Sequence, residues 1–168
     1  MNPALRPATE ADAPAMARLI NRIIETGGTT AHLSRFDAAR MRGHYIAPSL
    51  AISCFVAALK DEVIGFQALE RADPDWQGEG KLPDDWAVIA TFVGEGHRGL
   101  GIGRALFALT LDAARTADVV AIDATIRADN ALGLAYYAQM GFADHALIKD
   151  VPLRDGTKID RVQKVFRL

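Results

Sequence analysis

Apolar positions along the chain follow two rhythms, and their alternation predicts the order of elements. Ala13, Met16, Leu19, Ile20 and Ile23 recur at steps of three and four, the spacing of an amphipathic helix. Thr9 followed by Asp12 forms a capping box ahead of that helix, and the glycines of "ETGGTT" (25–30) stop it. "ALRPA" (4–8) before it reads as a short opening strand. A second, shorter helix is predicted within 35–46, ended by Pro48. "AISCFVAALKDEVIGFQALE" (51–70) reads as two strands joined by a tight turn at Asp61 and Glu62. "RADPDWQGEGKLP" (71–83) is polar and broken by Gly and Pro, so it is a loop. "WAVIATFV" (86–93) is a strand with almost no polar residue, as expected when both faces are covered.

A third helix is predicted from the glycine-rich stretch near 99–103 to about Arg115. "VVAIDATIR" (119–127) is another buried strand. Asn130 has the chemistry of a helix cap, and the helix behind it stops at Gly141. "HALIKDVPL" and "KIDRVQKVFRL" close the chain as two strands around the turn "RDGT". Alternation falters near Gln163–Phe166, which a bulge or a strand covered on both faces would explain. The order is βααβββαβαββ, an α/β (α+β) chain built on a mixed sheet with helices on both faces.

Composition narrows the function classes. The 168 residues, half of them hydrophobic, fit one domain over 1–168. A net charge of −2 without runs of like charge argues against a nucleic-acid partner. Cys54 is the only cysteine; it sits in an apolar run, reads as a small buried hydrophobe, and fits a reducing cytoplasm. No run approaches the ~20 apolar residues of a membrane span, and the N-terminal stretch lacks a signal-peptide core, so a cytoplasmic chain with no membrane partner is expected. His32, His44, His97 and His145 have no metal-ligand spacing, and no metal is predicted. Trp76, among polar residues, reads first as a loop anchor, with an acceptor-site lid or a dimer contact as alternatives.

The chemistry concentrates in "GEGHRGLGIGRALFALTLDAA" (94–114). Glycines at 99, 101 and 103 precede an apolar helix, although glycine there is unfavourable by roughly 1 kcal/mol relative to alanine. A dinucleotide-binding G-x-G-x-x-G fails, because Arg104 occupies the third glycine position. A G-x-x-x-x-G-K phosphate loop fails, because Ile102 stands where lysine is required. A helix start leaves N–H groups unpaired with a positive dipole end behind them, and glycines let a phosphate approach without meeting a Cβ. Arg98, Gly99, Leu100, Gly101, Ile102, Gly103 and Arg104 are therefore the predicted anion site.

"HRGLGIG" resembles the acyl-CoA pyrophosphate loop, Q/R-x-x-G-x-G/A, of the GCN5-related N-acetyltransferases (GNAT), with Arg98, Gly101 and Gly103 at the matching positions. "RADNALGLAYYAQMGF" resembles the same family's downstream motif through Asn130, Tyr137, Gly141 and Phe142. The order of elements agrees over 4–168. "LINRIIETGGTTA" and the closing "DGTKIDRVQKVFRL" are similar to the phosphinothricin and L-amino-acid N-acetyltransferase branch. The resemblance implies a mostly antiparallel sheet of about seven strands flanked by four helices, with the two central strands splayed. It also implies acetyl-CoA as cosubstrate and a homodimer.

By the same resemblance, main-chain groups of Phe92 and Val93 hold the pantetheine, a strand N–H binds the thioester oxygen, and Asn130 contacts coenzyme A. Tyr137 is the expected catalytic residue. A phenol near pKa 10 facing a thiol near 8.5 makes full proton transfer uphill by about 2 kcal/mol, so a hydrogen bond to the departing thiolate is its minimal role. Tyr136 points about 100° away on a helix and stays outside the catalytic set. The branch carries a Glu five residues before the end of the fourth strand; this chain has Val88 there. Glu70, Asp84, Asp85 and His32 are the substitutes, each reading first as a solvated surface group. A weak base favours an α-amine near pKa 8 over a lysine-like amine near 10.4. The implied activity is acetylation of a small-molecule amine by direct attack. A non-catalytic acyl-CoA sensor and a protein N-acetyltransferase are the alternatives.

Overall fold

The computed structural model describes residues 2–168. Seven strands form one sheet in the order β1-β2-β3-β4-β5-β7-β6. They are β1 (Ala4–Pro7), β2 (Ala51–Leu59), β3 (Glu62–Arg71), β4 (Trp86–Val93), β5 (Ala121–Arg127), β6 (Ala143–Pro152) and β7 (Lys158–Arg167). Every neighbouring pair is antiparallel except β4 and β5. The helices are α1 (Ala13–Thr26), α2 (Ala38–Met41, continued by a π turn over Arg42–Ile46), α3 (Ile102–Thr116) and α4 (Ala131–Gln139).

Each face of the sheet has its own core. α1 and α2 cover one, packing Met16, Ile20 and Met41 against Val56 and Phe66. α3 and α4 cover the other, packing Phe107 and Tyr137 against Leu69, Ala87, Ile89 and Ile122. Burying side chains of this size stabilises by about 1.5–3 kcal/mol each. The near-absence of polar residues in β4 follows from its place between these layers. Among the described residues no helix is long and apolar enough to cross a membrane.

β4 and β5 pair only through Trp86–Val88 and Ala121–Asp123. Beyond those positions β4 stays with β3 as far as Val93, and β5 stays with β7 as far as Arg127. The two half-sheets diverge and leave a wedge at the centre of the molecule. At β7 both expected explanations for lost alternation hold. Gln163, Lys164 and Val165 are buried in succession, and β6 slips register between Asp144 and Ala146 and between Ile148 and Val151. The β2–β3 turn lies one residue earlier than expected, at Lys60 and Asp61, with Lys60 at φ 54°.

Candidate active site

A cleft of about 750 Å³ runs through the wedge from the start of α3 to the α1–α2 loop. Phe92, Val93, Arg98, Gly99, Gly101, Ile102, Gly103, Arg104, Asn130 and Tyr137 all line it; Leu100 does not, and its side chain is exposed.

The three glycines at the start of α3 have different reasons. Gly99 and Gly101 sit at φ 75° and 80° with no atom within 4 Å of where a Cβ would stand, so they provide left-handed backbone and an open concavity. Gly103 would place a Cβ 2.6 Å from the Tyr136 ring; it is there for packing. Gly101 caps α3 without any side-chain acceptor, and the first N–H groups of the helix have no backbone acceptor. Four features fit a diphosphate: unpaired donors, a positive helix end, open space, and the exposed cations Arg98 and Arg104.

The wedge also exposes main chain. Gly94 N–H donates to Ile64 O at 2.9 Å. By antiparallel alternation, Phe92 also bonds to β3, while Thr91 and Val93 turn their N–H and C=O groups toward β5, where no strand meets them. Of the two positions expected to hold pantetheine, Val93 turns its main chain into the wedge, its N–H without a partner strand and its C=O accepting from Arg98 Nε at 3.4 Å. Phe92 contributes its ring, packed on Tyr45 and Phe66 on the α1–α2 face.

Tyr137 ends a chain of hydrogen bonds on the α3–α4 face. Its hydroxyl lies 2.9 Å from Thr91 Oγ1. Gln67 Nε2 donates to Thr91 Oγ1 at 2.8 Å and to the Tyr136 hydroxyl at 3.2 Å. Tyr136 in turn donates to Gly103 O at 2.9 Å. Because Gln67 supplies a proton to Thr91, the threonine's own proton is free for Tyr137, whose phenolic proton can then point into the cleft. Burial pushes the Tyr137 phenol above its ordinary 10.0, which keeps it a neutral donor. Tyr136, outside the expected set, braces the first turn of α3. Asn130 spends its side chain on structure: Oδ1 accepts from Gly133 N–H at 3.0 Å, and Nδ2 donates to Thr29 O at 3.1 Å.

At the other end of the cleft a carboxylate stands across the ladder from Val88. Val88 is the cross-strand partner of Glu70, so the two side chains leave one face about 5 Å apart. Glu70 is half-buried in the cleft, and its pKa is raised by burial and then by Asp73. It is thus a cleft residue and not the solvated surface group that its sequence context suggested. His32 is also half-buried there, 2.7 Å from the Tyr45 hydroxyl. Burial, followed by His44 and nearby arginines, lowers its pKa to about 4, which makes it a poor proton acceptor. Asp84 and Asp85 are exposed and do not line the cleft. Cys54 is buried, its thiol pushed up to about 12 by desolvation. Trp76 is half-exposed and donates to Glu79 O at 3.1 Å, anchoring its own loop.

A mixed sheet split at its centre, with a donor-rich helix start at the mouth of the split, defines an acyl-CoA-type transferase architecture. The Acetyltransferase (GNAT) family profile matches residues 18–142; the chain belongs to that family. Among solved structures it is similar to the ribosomal-protein-alanine N-acetyltransferase of Brucella melitensis, at 26% identity over 98% of this chain and 99% of that one, with a TM-score of 0.77. A GNAT superfamily phosphinothricin acetyltransferase from Sinorhizobium meliloti, in complex with AcCoA, shares the fold at 19% identity over 100% and 89% of the two chains (TM-score 0.78). So does a GCN5-related N-acetyltransferase from Kribbella flavida, at 22% identity over 99% and 98% (TM-score 0.78). No curated protein sequence matches the chain significantly.

Proposed function

We propose that the protein is an acetyl-CoA-dependent N-acetyltransferase that acetylates the amine of a small molecule, an amino acid or amino-acid-like compound, by direct attack. The observation that carries this reading is the single cleft joining the open start of α3 to Glu70 through the β4–β5 wedge. Acetyl-CoA supplies a thioester carbonyl activated toward amines. Gly99, Gly101, Ile102, Gly103, Arg98 and Arg104 hold its diphosphate. The main chain of Thr91 and the N–H of Val93, turned into the wedge, receive its amide arm.

Glu70 takes the proton from the incoming ammonium. Its raised pKa makes it a stronger base than an ordinary surface carboxylate. Tyr137, aligned by Thr91 and Gln67, donates a hydrogen bond to the departing sulfur. Glu70 also weighs against a binding-only sensor, because it replaces the carboxylate that Val88 lacks. The test is a thiol-release screen of amino acids, simple amines and polyamines with acetyl-CoA. Release with α-amines supports the reading. Binding of acetyl-CoA without release from any acceptor supports the sensor, and a preference for polyamines removes the amino-acid assignment.

A further inference from the structure

Arg127 and Arg161 are cross-strand partners on β5 and β7, so their side chains leave the same face of the sheet next to one another. Both line the cleft, but their circumstances differ. Arg127 is compensated: Nε and Nη2 donate to Asp129 at 2.9 and 2.8 Å, and Nη1 donates to Thr30 O at 3.2 Å. Arg161 has no salt-bridge partner among the described residues. Its Nε is fully buried without an acceptor. Burial and the adjacent Arg127 both act against its charge. A half-buried guanidinium beside a second one is costly unless an anion meets it. Neither fold nor packing explains that cost, because no group among the described residues accepts from its side-chain donors.

The surroundings sharpen the point. Arg40, Arg154 and Arg161 all bear on His32, so the acceptor end of the cleft has a positive field, and Glu70 is the one carboxylate among the residues lining it. We infer that Arg161 is the specificity residue for the acceptor and binds a carboxylate that the acceptor carries beside its reacting amine. This rests on the N-acetyltransferase reading and narrows it. A guanidinium fork takes a carboxylate through two parallel N–H···O bonds, and the terminal Nη donors of Arg161 are the ones left open to the cleft, Nε alone being enclosed. The acceptor is then held at two points, its anionic group at β7 and its amine toward Glu70 on β3, on opposite sides of the wedge.

The test uses the full chain and L-methionine, L-phenylalanine, L-histidine and L-glutamate, each beside its α-carboxamide, in thiol-release kinetics with acetyl-CoA. For accepted pairs the acid is expected to exceed its amide in kcat/KM by roughly 10- to 100-fold, mainly through KM. Arg161→Met should collapse that ratio to near one, and Arg161→Lys should restore part of it. An equal ratio in the wild type, or a ratio preserved in Arg161→Met, overturns the inference. Thermal stabilisation by acetyl-CoA, measured on each variant, separates misfolding from loss of selectivity. In parallel, the N-acetyl derivatives of the same amino acids are titrated calorimetrically into protein saturated with coenzyme A. Binding that is lost in Arg161→Met supports the site; absence of binding, or binding unchanged by the substitution, overturns it. Turnover of acids and amides alike removes the carboxylate site and leaves the enzyme. Carboxylate binding without any turnover removes the enzyme and leaves the site.

Discussion

The two ends of the cleft are built on different plans. The proposed donor end is one continuous stretch, residues 98–104, and what it offers is the unpaired main-chain N–H groups at the start of α3. The acceptor end collects single side chains from the α1–α2 loop, the π turn, β3 and β7: His32, Tyr45, Glu70 and Arg161. A main-chain site needs a particular backbone shape, which glycine dictates locally. A side-chain site needs particular strands to become neighbours, which only the finished sheet arranges. A diphosphate is one invariant ligand and suits the first plan. An acceptor that differs between relatives suits the second, because single substitutions on separate strands retune it without disturbing the donor end.

Substitutions at the two ends should therefore separate cleanly. The largest effect is expected from Glu70→Gln, which keeps the shape and removes the base. It should lower kcat/KM by about 10²–10⁴-fold and leave acetyl-CoA-dependent thermal stabilisation intact. In the wild type, kcat/KM should fall with decreasing pH along a limb displaced upward from that of an ordinary glutamate, because burial, and then Asp73, raise the Glu70 pKa. Wild-type rates in Glu70→Gln would move the base elsewhere. Gly101→Val should do the reverse. It strains a φ of 80°, puts methyl groups in the open concavity, and should weaken acetyl-CoA binding by about 100-fold, read as lost thermal stabilisation. Unchanged stabilisation would take the diphosphate away from Gly101.

Tyr137→Phe should give a smaller effect, about 10- to 100-fold in kcat with little change in acetyl-CoA affinity. Equal activity would return Tyr137 to the core. The remaining effect is on stability, at the foot of the wedge and not at either end. Asp123 pairs with Val88 at the foot of the wedge. It is buried with Oδ1 unpartnered, and its pKa is raised from 3.8 to about 6 by desolvation, partly offset by Thr125. The folded state thus holds this proton more tightly than the unfolded chain does. The associated stability is full below about 3.8 and is lost as pH rises through about 6. Asp123→Asn should raise the stability at pH 8 by about 2–3 kcal/mol and add nothing near pH 3. A gain that does not depend on pH would deny the titration.

The same contrast explains what was legible in the sequence. Strand and helix order, the mixed sheet, the cap at Asn130 and the glycine-rich helix start all depend on neighbours along the chain, and periodicity and turn chemistry expose them. The β2–β3 turn slipped by one residue because Lys60 adopts a left-handed conformation that its residue type does not announce. Glu70 was legible only as one of four substitute bases, and Arg161 not at all, for a different reason. Their meaning comes from the residues across the ladder, Val88 and Arg127, and a single chain does not print its register. Gly103 was legible as a glycine with a function, but its partner, Tyr136, stands 33 positions away. The β3–β4 and β5–β7 ladders that carry these pairs run without register shifts, but a long loop over 72–85 joins the first two strands and α4 and β6 separate the other two, so no tight turn fixes either register in the sequence.

The short β4–β5 ladder makes the molecule a sheet with an unfinished seam. Three residues on each strand hold the halves together, and the edges beyond them are left without a partner. A ligand whose amide arm lies along Thr91 and Val93 would act as a missing strand, closing the seam with groups that neither half possesses. Saturation at a hundredfold over the dissociation constant would then add about 2.7 kcal/mol to the fold. The acyl donor would serve as a structural member as well as a reactant, and its departure after each turnover would reopen the joint.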